Sequence, residues 1–219
     1  SATASSEVDL DHSFNSSLNP AIYQGIGQGS TLVAYDSLIG SASFDVGRGF
    51  EQLPDGKYFA VSLINPGENG RIGLFRLNAD GSRDLSFGPI GQNGQILRHT
   101  GVLSAIGPVR QGNSLYYAYS RQSGNYGQVV VCKIDLDGNA DNSFRSWGWG
   151  NTWPEGCSIA SSGNEEAYAP NLWDIDVEPT TGWVVTAFEY RQAAGSNAPS
   201  NGAFTLMSED GKDLSEPTF

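Results

Sequence analysis

Three aspartates, Asp135, Asp137 and Asp141, alternate with small residues around Gly138 in the stretch DLDGNADNSF (135–144). Carboxylates at alternating positions beside a glycine are the kind of oxygen-rich loop that calcium takes. The stretch lacks the bidentate acid such a loop needs at its twelfth position, where Ser146 stands. The same residues also build a tight turn, with carboxylates accepting backbone N–H bonds and the glycine at positive φ. A turn is the expectation, with no cofactor, and bound calcium is the alternative.

Two further groups carry chemistry. Trp147, Trp149 and Trp153 lie close together beside Pro154 and Cys157, with Tyr168 and Trp173 downstream. If 147–149 is extended, Trp147 and Trp149 share a face. With Trp153 or Tyr168 they could then form a flat platform suited to sugar rings or an apolar partner surface. The other reading is that the tryptophans plug the gap between neighbouring packed units. Cys132 and Cys157, if paired, would close a loop worth roughly 3 kcal/mol in the chain-entropy model; unpaired, Cys132 inside QVVVCKI is a small buried residue.

Catalytic signatures are sparse. The two histidines, His12 and His99, are too far apart in sequence to suggest a histidine-rich metal centre. There is no Gly-x-Ser-x-Gly elbow and no phosphate loop. Asp174 with Asp176, or Glu165 with Glu166, could be assembled into an acid–base site, but adjacency in sequence does not place their carboxylates together.

The elements that must position these residues are strands. Over 219 residues there are 28 glycines and 10 prolines, charged residues are 16%, and no apolar stripe of helical period persists for three turns. The fold expected is all-β. The formal net charge is −12, with three lysines, Lys57, Lys133 and Lys212. With no cluster of Lys or Arg, that argues against nucleic-acid backbones and anionic membranes as partners, and no run of 18 apolar residues offers a membrane span. The small polar start, SATASSE, is what signal-peptide cleavage leaves behind, so a secreted or periplasmic location is expected.

The opening stretch recurs. RLNADGSRDLSF (76–87) and KIDLDGNADNSF (133–144) match position for position, 57 residues apart. A looser copy, TLMSEDGKDLSEPTF, closes the chain at 205–219, and DHSF at 11–14 is a partial one. Upstream of each fuller copy stands a turn followed by an alternating strand: EQLPDGKYFAVSLI, GPVRQGNSLYYAYSR and DVEPTTGWVVTAFEYR. In the first of these, Phe59, Val61 and Leu63 oppose Tyr58, Ala60 and Ser62, so both faces carry apolar groups and the strand must be covered on both sides. The combined pattern PDGKYFAV…FRLNADGSRDLSFG resembles the delta-60 repeat of bacterial, mostly exported, β-propeller-like proteins, over roughly residues 45–219.

That resemblance implies a four-stranded blade per unit. The chain is then a single β-propeller-like domain, 1–219, with units at about 15–87, 88–144 and 145–219 and a partial motif at 5–14. Three units fall short of the roughly 4 to 8 blades of a closed propeller, which calls for a second copy, another subunit or further chain to cover the open edges. The excess length in 15–45 and 145–173 is expected to leave the blades as loops. The function expected is a non-enzymatic, exported binding or assembly subunit that engages a protein partner or a glycan through those loops. The alternative is a propeller hydrolase or lyase using acidic residues and a divalent cation at the central channel.

Overall fold

The runs with apolar groups on both faces become strands in the computed structural model, which describes residues 45–67, 69–89, 94–123, 126–144, 156–162, 168–191 and 200–212. The first sheet holds β1 (Asp45–Gln52), β2 (Tyr58–Ile64), β3 (Arg71–Leu77) and β4 (Gln95–Arg98). The second holds β5 (Val102–Gln111), β6 (Ser114–Ser123), β7 (Tyr126–Asp135) and β8 (Cys157–Ser162), and the third β9 (Tyr168–Val177), β10 (Val184–Arg191) and β11 (Ser200–Met207). Every neighbouring pair is antiparallel, and within each sheet spatial order follows chain order. The fold is all-β and propeller-like; among the described residues the three sheets do not close into a ring.

The second sheet lies in the middle, and period-2 alternation feeds its two faces to two cores. From β6 and β7, Leu115, Tyr117, Tyr119, Val130, Cys132 and Ile134 pack with Phe59, Val61, Leu63, Ile72 and Leu74 of the first sheet. Tyr116, Ala118, Val129 and Val131 turn the other way, onto Leu172, Ile175, Val177, Val184 and Phe188 of the third. A smaller cluster on the far side of the first sheet gathers Ala60, Ile64, Phe75 and Leu77. The doubly apolar strands are therefore covered on both faces, as their sequences require.

The first strand of each sheet approaches the first strand of the next. A Cβ on Gly49 of β1 would stand 2.4 Å from the carbonyl oxygen of Gly107 in β5, so only glycine lets these backbones come so close. Between β5 and β9, the Ser104 hydroxyl accepts the Leu172 N–H at 3.2 Å and donates to Asn171 Oδ1 at 3.1 Å.

Two sequence expectations change. Units drawn to end at Phe87 and Phe144 cut through the sheets, because the Asp-Gly motif connects a third strand to a fourth: β4 follows Phe87, and β8 follows Phe144. The excess at 145–173 is not all loop. Cys157–Ser162 is the fourth strand of the second sheet, and β9 begins at Tyr168. The extended conformation of 157–162 reflects pairing to β7, where Cys132 faces Cys157 and Val130 faces Ile159, which spacing along the chain does not reveal. The excess at 15–44 lies outside the described residues.

Candidate functional site

The repeated motif folds into one turn three times. Gly81, Gly138 and Gly211 have φ of 80°, 83° and 83°, the left-handed conformation that glycine adopts without steric cost. In each copy the carbonyl of the residue three before the glycine accepts the glycine N–H. The same residue donates its own N–H to the carbonyl just after the glycine: Asn78 to Ser82, Asp135 to Asn139, Ser208 to Lys212. The carboxylates hold the turns. Asp135 Oδ1 accepts the N–H groups of Asp137 and Asn139 at 2.9 and 2.8 Å, while its Oδ2 accepts the Asn139 side chain. Asp141 Oδ1 accepts the Ser143 N–H and hydroxyl, its Oδ2 faces Lys133 Nζ at 3.2 Å, and Asp137 Oδ1 accepts from Arg76 at 2.7 Å. These donors account for the carboxylates of Asp135 and Asp141 and for one oxygen of Asp137 as parts of the turn.

After each of the first two turns comes a second device. Asp84 and Asp141 each hold the Ser two residues on, and the carbonyl of each accepts the N–H of a buried phenylalanine, Phe87 or Phe144. The basic residue that opens each motif returns to the same aspartate: Arg76 to Asp84 at 2.8 Å and Lys133 to Asp141 at 3.2 Å. Burial alone would raise the Asp84 carboxyl, but hydrogen bonds from Lys57, Ser86 and Arg76 outweigh it and hold the group far below the ordinary carboxylate range. Asp141 is shifted the same way: burial opposes, and Ser143 and Lys133 prevail.

Between the first two turns lies a cavity of about 460 Å³ lined by Arg76, Phe87, Ile96, Arg98, Asp137 and Gly138. Its arginines are engaged by protein. Arg76 reaches Asp84, Asp137 and the Leu136 carbonyl, and Arg98 Nη2 donates to the Gly138 carbonyl at 2.8 Å. The cavity wall thus doubles as the clamp that fastens the second turn to the first sheet.

The third sheet presents the other candidate surface. Thr186, Thr205 and Met207 point inward and are buried, so the alternate positions of β10 and β11 face out. On that face Phe204 is 76% exposed, Trp183 41% and Val185 38%. Pairing sets Phe204 opposite Ala187 and Leu206 opposite Val185. Asp174 and Asp176 border them across β10, opposite Ala187 and Val185. Trp173, at 65% exposure, sits at the irregularity in β9 where the register shifts between Leu172 and Asp174. Of the sequence-predicted aromatic group, Trp147, Trp149 and Trp153 lie outside the described residues. Tyr168 opens β9. Trp183 and Phe204 escape the sequence reading because neither belongs to a local aromatic cluster; outward-facing positions in the DVEPTTGWVVTAFEYR strand are the available signal.

Cys132 and Cys157 are disulfide-bonded across β7 and β8. His99, which has no partner recognisable in sequence, stands beside them: its Nε2 lies 3.6 Å from Cys132 Sγ, 4.0 Å from Cys157 Sγ and 2.8 Å from the Tyr117 hydroxyl. Its ring stacks on Tyr119 with centroids 4.4 Å apart. Burial, aided by the charges of Arg98 and Arg121, lowers the His99 pKa to about 3, so the ring is neutral at ordinary pH.

Residues 53–87, which span the first Gly turn, β2, β3 and the first Asp-Gly motif, match the family model described as a domain of unknown function (DUF5122) beta-propeller. The chain is similar to that β-propeller family over this stretch, in agreement with the sheet architecture. No match was found among curated proteins.

Proposed function

We propose that the chain is an exported, non-enzymatic binding or assembly module of the delta-60 repeat kind, which docks a protein partner on the outer face of its third sheet. The observation that carries this is the set of large apolar side chains exposed there together, Trp183, Val185 and Phe204. The two faces of the second sheet are covered by neighbouring sheets, whereas the outer face of the third is open among the described residues and sets its apolar side chains beside Asp174, Asp176 and Glu189. The surface that fits it is another apolar β-sheet face, of which a second copy of this chain is the simplest source. Aromatic anchors in such patches carry much of the energy of protein association. The Cys132–Cys157 disulfide suits an oxidising compartment and supports export.

Sedimentation velocity over a wide concentration range tests the proposal. The wild-type chain is expected to associate, and Phe204→Asp, which sets a charge in the middle of the face, to leave it monomeric with unchanged far-ultraviolet circular dichroism. A wild-type chain that stays monomeric throughout overturns association through this face. If its tryptophan fluorescence then responds to oligosaccharide, the exposed indoles serve a glycan instead.

A further inference from the structure

We infer that reduction of the Cys132–Cys157 disulfide opens a site of one histidine and two cysteines for a soft divalent cation such as zinc, built between the first and second sheets. The three candidate ligand atoms, His99 Nε2 and the two sulfurs, lie within 4.8 Å of one another. They come from separate elements. Cys132 and Cys157 face each other on adjacent strands of the second sheet, and His99 immediately follows β4 of the first.

The third ligand is positioned independently of the disulfide. His99 has φ 60°, a left-handed conformation uncommon for a non-glycine residue. Tyr119 stacks on its ring and the Tyr117 hydroxyl meets Nε2. Both tyrosines belong to the buried core between the sheets, 1% and 0% exposed, so the imidazole keeps its place when the sulfurs separate. Histidine nitrogen and two thiolates are a donor set that zinc prefers. Zinc–thiolate bonds of about 2.3 Å in a tetrahedron require sulfurs roughly 3.8 Å apart, a separation that side-chain rotation on facing strands can supply. The Tyr117 hydroxyl, 2.8 Å from Nε2, gives up its hydrogen bond to that nitrogen when the cation binds there, and the fourth position falls to solvent.

Two balanced steps connect the disulfide and the metal-bound form. The S–S bond breaks by taking two electrons and two protons, either from an external dithiol, which leaves as its disulfide, or from a phosphine and one water, the water giving its oxygen to form the phosphine oxide and its two protons to the two thiols. The two thiols then each release a proton as their sulfurs bind the cation, with neutral His99 Nε2 giving its lone pair. A two-electron oxidant such as an external disulfide, which takes up two protons and leaves as two thiols, returns the Cys132–Cys157 bond and releases the cation, so the cluster holds either a covalent bond or a cation.

The experiment uses the full chain, reduced with a phosphine, freed of reductant under anaerobic conditions and titrated with cobalt(II). The expected result is one bound cobalt per chain, with thiolate-to-cobalt charge-transfer absorption and the strong visible bands of tetrahedral cobalt, displaced by zinc. The disulfide form is expected to show neither. His99→Ala should weaken cobalt binding by about tenfold or more, and His99→Gln, closer in size, provides the same comparison if the alanine variant does not fold. Cys132→Ser should abolish the two-thiolate spectrum. The inference is overturned if the reduced chain gives no charge-transfer band, if the His99 variants bind cobalt as tightly as wild type, or if reduction erases the β circular dichroism and cobalt does not restore it.

Discussion

The two sheet interfaces use one motif with different fastenings. At the first, Arg76 leaves its own sheet to reach Asp137 and the Leu136 carbonyl of the second turn, and Arg98 adds the Gly138 carbonyl. At the second, Lys133 stays with Asp141 of its own motif, and the next turn is held by a neutral contact, the buried Ser158 hydroxyl donating to the Gly211 carbonyl at 2.5 Å. What recurs is local: the Asp-Gly turn, the Asp-to-Ser clasp and the phenylalanine plug. Each sheet pair has its own cross-sheet link, so the motif shapes a blade and leaves the tie to its neighbour free to vary.

The largest test of this comparison removes the plugs. Phe87 and Phe144 are 1% and 0% exposed and belong to different cores. Each truncation to Ala should cost about 3–5 kcal/mol, read from the midpoint of urea unfolding. Equal losses support equivalent roles for the two plugs, and a loss below about 1 kcal/mol at either one would break the equivalence.

Titration sharpens the contrast. Asp84 is 6% exposed and faces both Lys57 and Arg76, whereas Asp141 is 32% exposed and faces Lys133. Both carboxyls are lowered in the fold, so their contribution is present above the unfolded value of about 3.9 and is lost as pH falls through the folded one. Asp84→Asn should therefore flatten the acid limb of the stability–pH curve more than Asp141→Asn. Identical acid limbs in the two variants would contradict the structural difference.

The smallest effect concerns the neutral tie. Ser158→Ala leaves the Gly211 carbonyl without its buried donor and should cost about 1–2 kcal/mol, with hydrogen exchange rising at the third turn rather than the second. Faster exchange at the second turn alone would show that Ser158 does not fasten the third.

Much of this is legible in the sequence because the motif is local. Asx-Gly turns need only neighbouring residues, so Asp135, Gly138 and Asp141 declare a turn by themselves, and Phe144 declares a plug by recurring with Phe87. The alternating faces of KYFAVSLI likewise follow from geometry within one strand. What stays hidden depends on pairing across the chain. Gly49 meets Gly107, Arg76 meets Asp137, and His99 meets a cysteine pair 33 and 58 residues away, only once the sheets are in register and stacked. The strand at 157–162 reads as loop in the sequence because its partner, β7, lies a full connection earlier.

Strand order has a kinetic consequence. In every sheet, spatial neighbours are chain neighbours, so each blade can zip from its hairpins before any long-range contact forms, which favours fast, stepwise assembly. A chain built this way can gain or lose a whole blade by duplication or deletion without rethreading the others.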